Sequence, residues 1–353
     1  MFGVVGGWSG ARFPFAVAAL GLLSLWLGWP GQARGDATGR LTLIEENDSF
    51  VAYQDKHYTQ GLLATYLTPD LDDDNQWLGI FKPLDLVDEL LPLDLGHGER
   101  IRRISVGLGQ SLFTPANLHE TVPDPDDRPY GGWLYGMLRL LEEDDARLLQ
   151  SLELQLGMVG PAALGQETQN TIHHILEQPL GLGWLYQIHN EPGLLLAYDA
   201  QWRALTIPWG RWTLDVTPSA GVTGGNVFTY ADVGGMLRIG QNIGVDYGPS
   251  RIRPAVSGGD YFDGRRSERE FGFYFFGSTQ ERLVGRNIFL DGNTFTQSRS
   301  VQKNWQVLDL SAGVSVYWTH SLRIDFVYTV RQEEFTTQDA PDTFGNINLA
   351  LQL

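Results

Sequence analysis

The chain has 353 residues, a formal net charge of −17 at pH 7 and no cysteine. That charge excludes a nucleic-acid binder, which needs a basic face toward phosphates. The missing cysteine excludes disulfides and thiolate metal sites. With 42 glycines, 11 tryptophans and 12% aromatic residues, the composition suits an all-β chain with many turns.

At the start, Arg12 precedes a mostly apolar run from Phe13 to Trp29, and small residues come after it at Ala33, Gly35 and Ala37. A charged start, an apolar centre and a small-residue cleavage site make residues 1–37 a signal peptide; the competing reading is a transmembrane anchor. Cleavage after Ala33 or Ala37 leaves an exported domain over 38–353. Loss of Arg12, Arg34 and Asp36 takes the charge from −17 to about −18. No second apolar run is long enough for a membrane helix. The mature part is therefore either soluble outside the cytoplasm or a closed β-barrel.

Strands are expected near 40–47, 58–67, 101–110, 131–140, 149–158, 194–207, 211–224, 231–241, 270–277, 305–318, 320–331 and 345–353. Several alternate with period two. Leu322, Ile324, Phe326, Tyr328 and Val330 share one face, against Arg323, Asp325, Thr329 and Arg331. A soluble sandwich alternates as well. Charged residues inside long strands, and aromatics near strand ends (Trp202, Trp209, Trp212, Tyr317, Trp318), favour a transmembrane antiparallel β-barrel of about 12 strands. The final residue is Leu353, not an aromatic, which counts modestly against it. With the N-terminus inside, connections 48–57, 111–130, 159–193, 278–304 and 332–344 face outward. Two long inner connections stand out: 68–100, with an amphipathic helix around Leu84–Leu95, and the Gly- and Arg-rich 242–269, which the sequence leaves without an account. The acidic runs Asp70–Asp74, Asp124–Asp127 and Glu142–Asp145 read as solvated turns and match no EF-hand.

The outer loop 159–193 has Gly165 and Pro179 as punctuation for a short extracellular helix. On it Gln169, His173 and Glu177 share a face at i, i+4 spacing, so that Glu177 orients the imidazole and Gln169 bonds water or substrate. A packing or capping histidine is the competing reading of His173, and His174 competes for its role. Asn47-Asp48, at the end of the first strand, is ordinary turn chemistry or a pair of oxygen donors for a hard cation, with Thr59 on the neighbouring strand. No Gly-x-Ser-x-Gly elbow supports a serine nucleophile.

Several motifs stand in order along the chain: Glu46-Asn-Asp48 with Tyr58-Thr-Gln-Gly61, Gln110-Ser-Leu-Phe-Thr-Pro115, Asp127-Arg-Pro-Tyr-Gly-Gly132, Gly157-Met-Val-Gly-Pro161, the Gln169–His173 stretch, Gly183-Trp184, Asn190-Glu191 and Phe289-Leu-Asp-Gly-Asn293. In this series the chain resembles the outer-membrane lipid A 3′-O-deacylase (LpxR-like) family over essentially the whole mature sequence. The resemblance implies a twelve-stranded barrel in a Gram-negative outer membrane. It implies Ca²⁺-dependent hydrolysis of the ester of the 3′-acyloxyacyl group of lipid A, with lipopolysaccharide in the outer leaflet as partner and no obligate protein partner. By motif it implies catalytic roles for Asn47, Asp48, Thr59 and His173, with Asn47 and Asp48 on the metal side, and accessory roles for Gln169, Asn170 and, weakly, Glu177. The family's active-site lysine after the third strand has no counterpart; Asn117 and His119 lie nearby. The alternatives are an outer-membrane phospholipase and a non-enzymatic porin or structural barrel.

Overall fold

The computed structural model describes residues 39–353 apart from 53–55, 72–74, 91–99, 257–258 and 268. The expected signal peptide and the end of the helix around Leu84–Leu95 lie outside the described residues. The described chain forms thirteen strand segments: β1 (Arg40–Asn47), β2 (His57–Leu67), β3 (Arg100–Thr114), β4 (Gly131–Asp144), β5 (Leu148–Val159), β6 (Glu191–Trp202), β7 (Leu205–Trp209), β8 (Trp212–Gly225), β9 (Phe228–Gln241), β10 (Phe271–Asn287), β11 (Gln306–Trp318), β12 (Leu322–Arg331) and β13 (Asp342–Gln352). β6 and β7 both pair with β8, on its later and earlier residues, so they act as one stave broken at Arg203-Ala204. β13 pairs antiparallel with β1 from Arg40↔Gln352 to Asn47↔Gly345, and the sheet closes on itself. The result is a twelve-stave antiparallel barrel, as the alternation leads one to expect.

Which face points inward settles the choice between sandwich and membrane barrel. On β12, Arg323, Asp325, Thr329 and Arg331 are buried, while Ile324, Phe326 and Tyr328 are exposed. β13 likewise exposes Ile347, Leu349 and Leu351 and buries Asn346 and Asn348. The apolar face is on the outside and the polar face in the lumen, the inverse of a water-soluble fold. Trp202, Trp209, Trp212 and Trp318 are exposed at the end opposite the long loops, with Trp318 edge-on to Phe271 and Trp212 to Phe273. They form the interfacial girdle there. Tyr317 does not belong to it. Alternation turns it inward, where it is fully buried and donates to the Asn242 carbonyl.

The described residues of the unexplained connection 242–269 fold into the lumen and fill it. Asp246 receives Arg238 from β9, Arg323 from β12 and the Tyr274 hydroxyl from β10. The Ile252 amide donates to Glu46 on β1. Arg253 reaches Glu153 on β5 and Asp199 on β6. Arg282 and Arg331 both donate to the Pro254 carbonyl while gripping Asp309. Asp260 accepts from Arg139 and Ser105. An irregular backbone carries unpaired N–H and C=O groups, which in a dry lumen need partners; the polar inner faces of the staves supply them. This explains why charged residues sit mid-strand.

At the girdle end, a helix over Lys82–Leu90 buries Leu84, and its Asp85 and Asp88 bind Arg102, Arg100 and Gln150. No described helix is long and apolar enough to cross a membrane.

Candidate functional site

On β1, Arg40, Thr42, Ile44 and Glu46 are buried inward, so Asn47 falls on the outer face. Glu46 is a lumen residue: it accepts from the Tyr58 hydroxyl, the Ile252 amide and Asn346. Asn47 Oδ1 accepts from the Ser49 amide (2.8 Å) and the Ser49 hydroxyl (2.5 Å), closing the turn into a short helix, Ser49–Ala52. Asp48 is buried directly after the strand, and its Oδ2 accepts from the Lys56 amide at 2.6 Å.

Thr59 owes its placement to a bulge. Tyr58 pairs with Phe113 and Gln60 with Leu112, so Thr59 is the extra residue on β2. A bulge re-aims one side chain. Tyr58 points into the lumen, edge-on to Phe344, whereas Thr59 Oγ1 meets Thr114 Oγ1 at 2.6 Å. Gln60 pairs with Asn47. Asn47, Asp48 and Thr59 are therefore gathered at one corner of the loop-bearing rim, on adjacent staves.

The loop after β5 crosses back over the outer face of β3 and β4. Gln110 donates to the Ala163 carbonyl at 2.6 Å. Gly132 lies under Ala163, and Gly165 against Leu112 and the Trp184 ring; a Cβ at 132 would stand 3.0 Å from Ala163, and one at 165 2.7 Å from Trp184 and 3.1 Å from Leu112. Two glycines at the contact let the helix Gly165–Ile175 lie close on the wall. Its inner face carries Thr168, Gln169 and His173, all buried. This helix and Thr59 both touch the end of β3, at Leu112 and Thr114. Staves lie ~4.8 Å apart, so helix and hairpin stand within about two spacings, on the order of 10 Å.

His173 Nδ1 lies 2.5 Å from the Pro179 carbonyl. A carbonyl only accepts, so the proton sits on Nδ1 and the lone pair on Nε2. Gln169 Oε1 accepts from Trp184 Nε1 (2.8 Å), and Asn170 Oδ1 from the Gly181 amide (3.1 Å). The three side chains Gln169, Asn170 and His173 thus clamp the segment 179–184 to the helix. Glu177 has a different place from the one its spacing suggests. The helix stops at Ile175, not near Pro179, and Glu177 lies past the cap at φ 55°, exposed. Once the backbone turns left-handed, i+4 no longer means the same face, and Pro179 orients the imidazole in its stead. His174 is exposed.

One group escaped the sequence reading. His57 is buried at φ 61°, with Nδ1 2.7 Å from Asp342 and Nε2 3.5 Å from Asp127. Beside it Arg128 pairs with Glu334 at 3.1 Å. Burial alone would raise the Asp127 carboxyl, but the hydrogen bonds from His57 and from the Ala116 and Arg128 amides bring it below the usual range. Glu334 is lowered in the same way, burial being outweighed by Arg128 and Arg331. Asn117 and His119 are exposed; the Asn117 side chain donates to Glu120 and accepts from the His119 amide, closing its own turn. No signal in the sequence joins 57 to 127 and 342; only closure of the barrel does.

Among the described residues no group of three or more His, Asp or Glu side chains could hold a metal. The hairpin offers hard oxygens from Asn47, Asp48 and Thr59, the donor type that Ca²⁺ takes, with water or substrate oxygens completing a shell of six to eight. Asn47 Oδ1 already receives two hydrogen bonds, so a cation held there would compete with the Ser49 hydroxyl.

Comparison with known proteins gives a match to the family model "Outer membrane protein LpxR" over residues 15–353. Curated protein sequences give no significant match. Among solved structures, LpxR from Salmonella typhimurium superposes with a TM-score of 0.71 at 19% identity, over 89% of this chain and 100% of that one. The β-domain of the Bordetella autotransporter BrkA (TM-score 0.41, 10% identity, 90% and 98% covered) and an outer membrane channel from Pseudomonas putida (0.41, 9%, 92% and 99%) are too distant to carry an argument.

Proposed function

Because the chain belongs to the LpxR family of outer-membrane proteins, we propose that it is a lipid A 3′-O-deacylase, a carboxylic ester hydrolase that removes the 3′-acyloxyacyl group from lipid A in the outer leaflet. The observation that carries the reaction type is the tautomer of His173. With Nδ1–H fixed on the Pro179 carbonyl, Nε2 is the basic nitrogen, on a helix laid against the outer wall. His173 acts as general base: it takes a proton from water as the water oxygen attacks the ester carbonyl. The proton then passes to the departing 3′ oxygen, giving a sugar hydroxyl and a free acyloxyacyl carboxylic acid. A positioned base of this kind contributes about 10²–10⁴-fold.

Thr59, aimed outward by the bulge, positions water or Asp48. Gln169 and Asn170 hold the 179–184 segment that fixes the imidazole. Ca²⁺, held by Asp48 and Asn47, supplies Lewis-acid polarisation when bound. The acyl chains of the substrate stay in the leaflet against the wall of β1–β4, and the helix forms the second side of the cleft.

The filled lumen argues against a conducting porin. A phospholipase would use the same parts, and the product separates the two. Purified protein is incubated with lipid A and with glycerophospholipid, with and without chelator, and products are read by mass spectrometry. Loss of one acyloxyacyl unit is expected, abolished by chelation, restored by Ca²⁺ and reduced at least ~10²-fold in His173→Ala. Wild-type turnover in His173→Ala, or lysophospholipid with unchanged lipid A, would sink the reading.

A further inference from the structure

The loop helix turns its buried side to the wall, and the segment after it is unusual for chain beyond the strands. Of the twelve residues 175–186, six are large, apolar and exposed: Ile175, Leu176, Leu180, Leu182, Leu185 and Tyr186. Leu185 is 88% exposed. The segment is not loose. His173, Asn170 and Gln169 fix it from the helix, the Leu182 amide donates to the Leu118 carbonyl, and Gly183 packs against Pro123 and Tyr130. An ordered crest of this kind in water is disfavoured, and exposed patches mark an interaction surface.

Its surroundings say what covers it. The start of the loop, at Ala163 and Gly165, lies on the outer face of β3 and β4, and the crest follows against the rim loop 115–130; the wall beneath is lipid-facing, with Leu138, Leu156, Leu194 and Leu196 on β4, β5 and β6 exposed. The crest thus continues an apolar belt that is already in hydrocarbon. Its one charged residue is the exposed Glu177 at its start, and from Gln178 to Ile188 no acidic or basic residue interrupts it, as a segment at the headgroup–acyl boundary requires.

We propose that residues 175–186 form a lipid-inserted lip, seated in the acyl region of the outer leaflet beside the cleft, so that the helix carrying His173 is anchored in the leaflet that holds the substrate. Insertion rests on the membrane barrel and not on the deacylase chemistry; only the benefit to substrate entry rests on that reading.

The test uses the absence of cysteine. Leu185→Cys, and Asp339→Cys as a reference in the exposed loop after β12, are each labelled with one bimane. Each is reconstituted as the full barrel in phosphatidylcholine vesicles carrying a spin label on a shallow acyl carbon. The label at 185 is expected to lose most of its fluorescence to the acyl spin label and to be shielded from aqueous iodide, and that at 339 the reverse. Iodide quenching at 185 as strong as at 339, with no acyl quenching, overturns the proposal. So does shielding that grows with protein density without acyl quenching, which would assign the crest to a second copy. In a second measurement, Leu185→Asp with Tyr186→Asp, both beyond the segment that fixes the imidazole, is expected to lower deacylation of bilayer lipid A about tenfold while leaving detergent-dispersed substrate unaffected. Equal activity on both substrates overturns the benefit to substrate entry. A chain without deacylase activity leaves the quenching result intact.

Discussion

His57 shows how much a single side chain holds together at the rim. Its two ring nitrogens face carboxylates on β13 and on the loop 115–130, and Phe335 stands edge-on to the ring. It sits two residues before Thr59 and next to Lys56, whose amide holds Asp48. Replacing it by Leu leaves the buried Asp342, and the part-buried Asp127 beside it, without the imidazole that bonds both. The expected cost is about 3–5 kcal/mol, read as a lower denaturation midpoint, with part recovered when Asp342 is also made apolar. Asp127 adds a pH dependence. Its folded pKa lies below the unfolded one, so its contribution is complete above about pH 4 and fades as pH falls through the folded value. Hydrogen-exchange protection of 115–130 should drop in acid, and drop less in Asp127→Asn. The helix that carries His173 was legible because Gly165 opens it and its buried positions recur at helical spacing. Glu177 was misplaced because one left-handed residue cancels that spacing, and His57 was invisible because its partners come from opposite ends of the chain.

At the scale of elements, the helix Gly165–Ile175 depends on the surface it lies on. Gly132 leaves room for Ala163. Gly132→Leu should push the helix off β4 and lower deacylation at least ~10-fold, since misplacing a catalytic group by about 1 Å can cost 10². The barrel's melting transition should stay unchanged, because the new side chain points away from the lumen; melting and activity measured on one sample check both. Period-two alternation made the staves readable. It could not show the bulge at Thr59, where the period breaks for one residue, nor the segment 242–269. That segment has no period because its partners are scattered over nearly every stave, and its glycines and arginines acquire meaning only once the lumen surrounds them.

For the whole molecule, the filled lumen predicts the absence of steady ion conductance in planar bilayers. Breaking the Arg253 contacts to Glu153 and Asp199 with Arg253→Ala should produce flickering openings before it alters stave pairing, because pairing rests on the backbone ladder. The interior also constrains how the protein can be made. The filling segment is threaded between β9 and β10, and the last seam to be written, β13 against β1, joins residues some 300 positions apart in sequence. Ser250, whose carbonyl is held by Asn348 of that final strand, is sealed behind the seam. The contents must therefore be in place before the seam is zipped, which gives biogenesis a direction and a checkpoint. A Ser250→Cys thiol should react with a bulky maleimide in assembly intermediates that lack the β1–β13 seam, and be refractory in the finished protein.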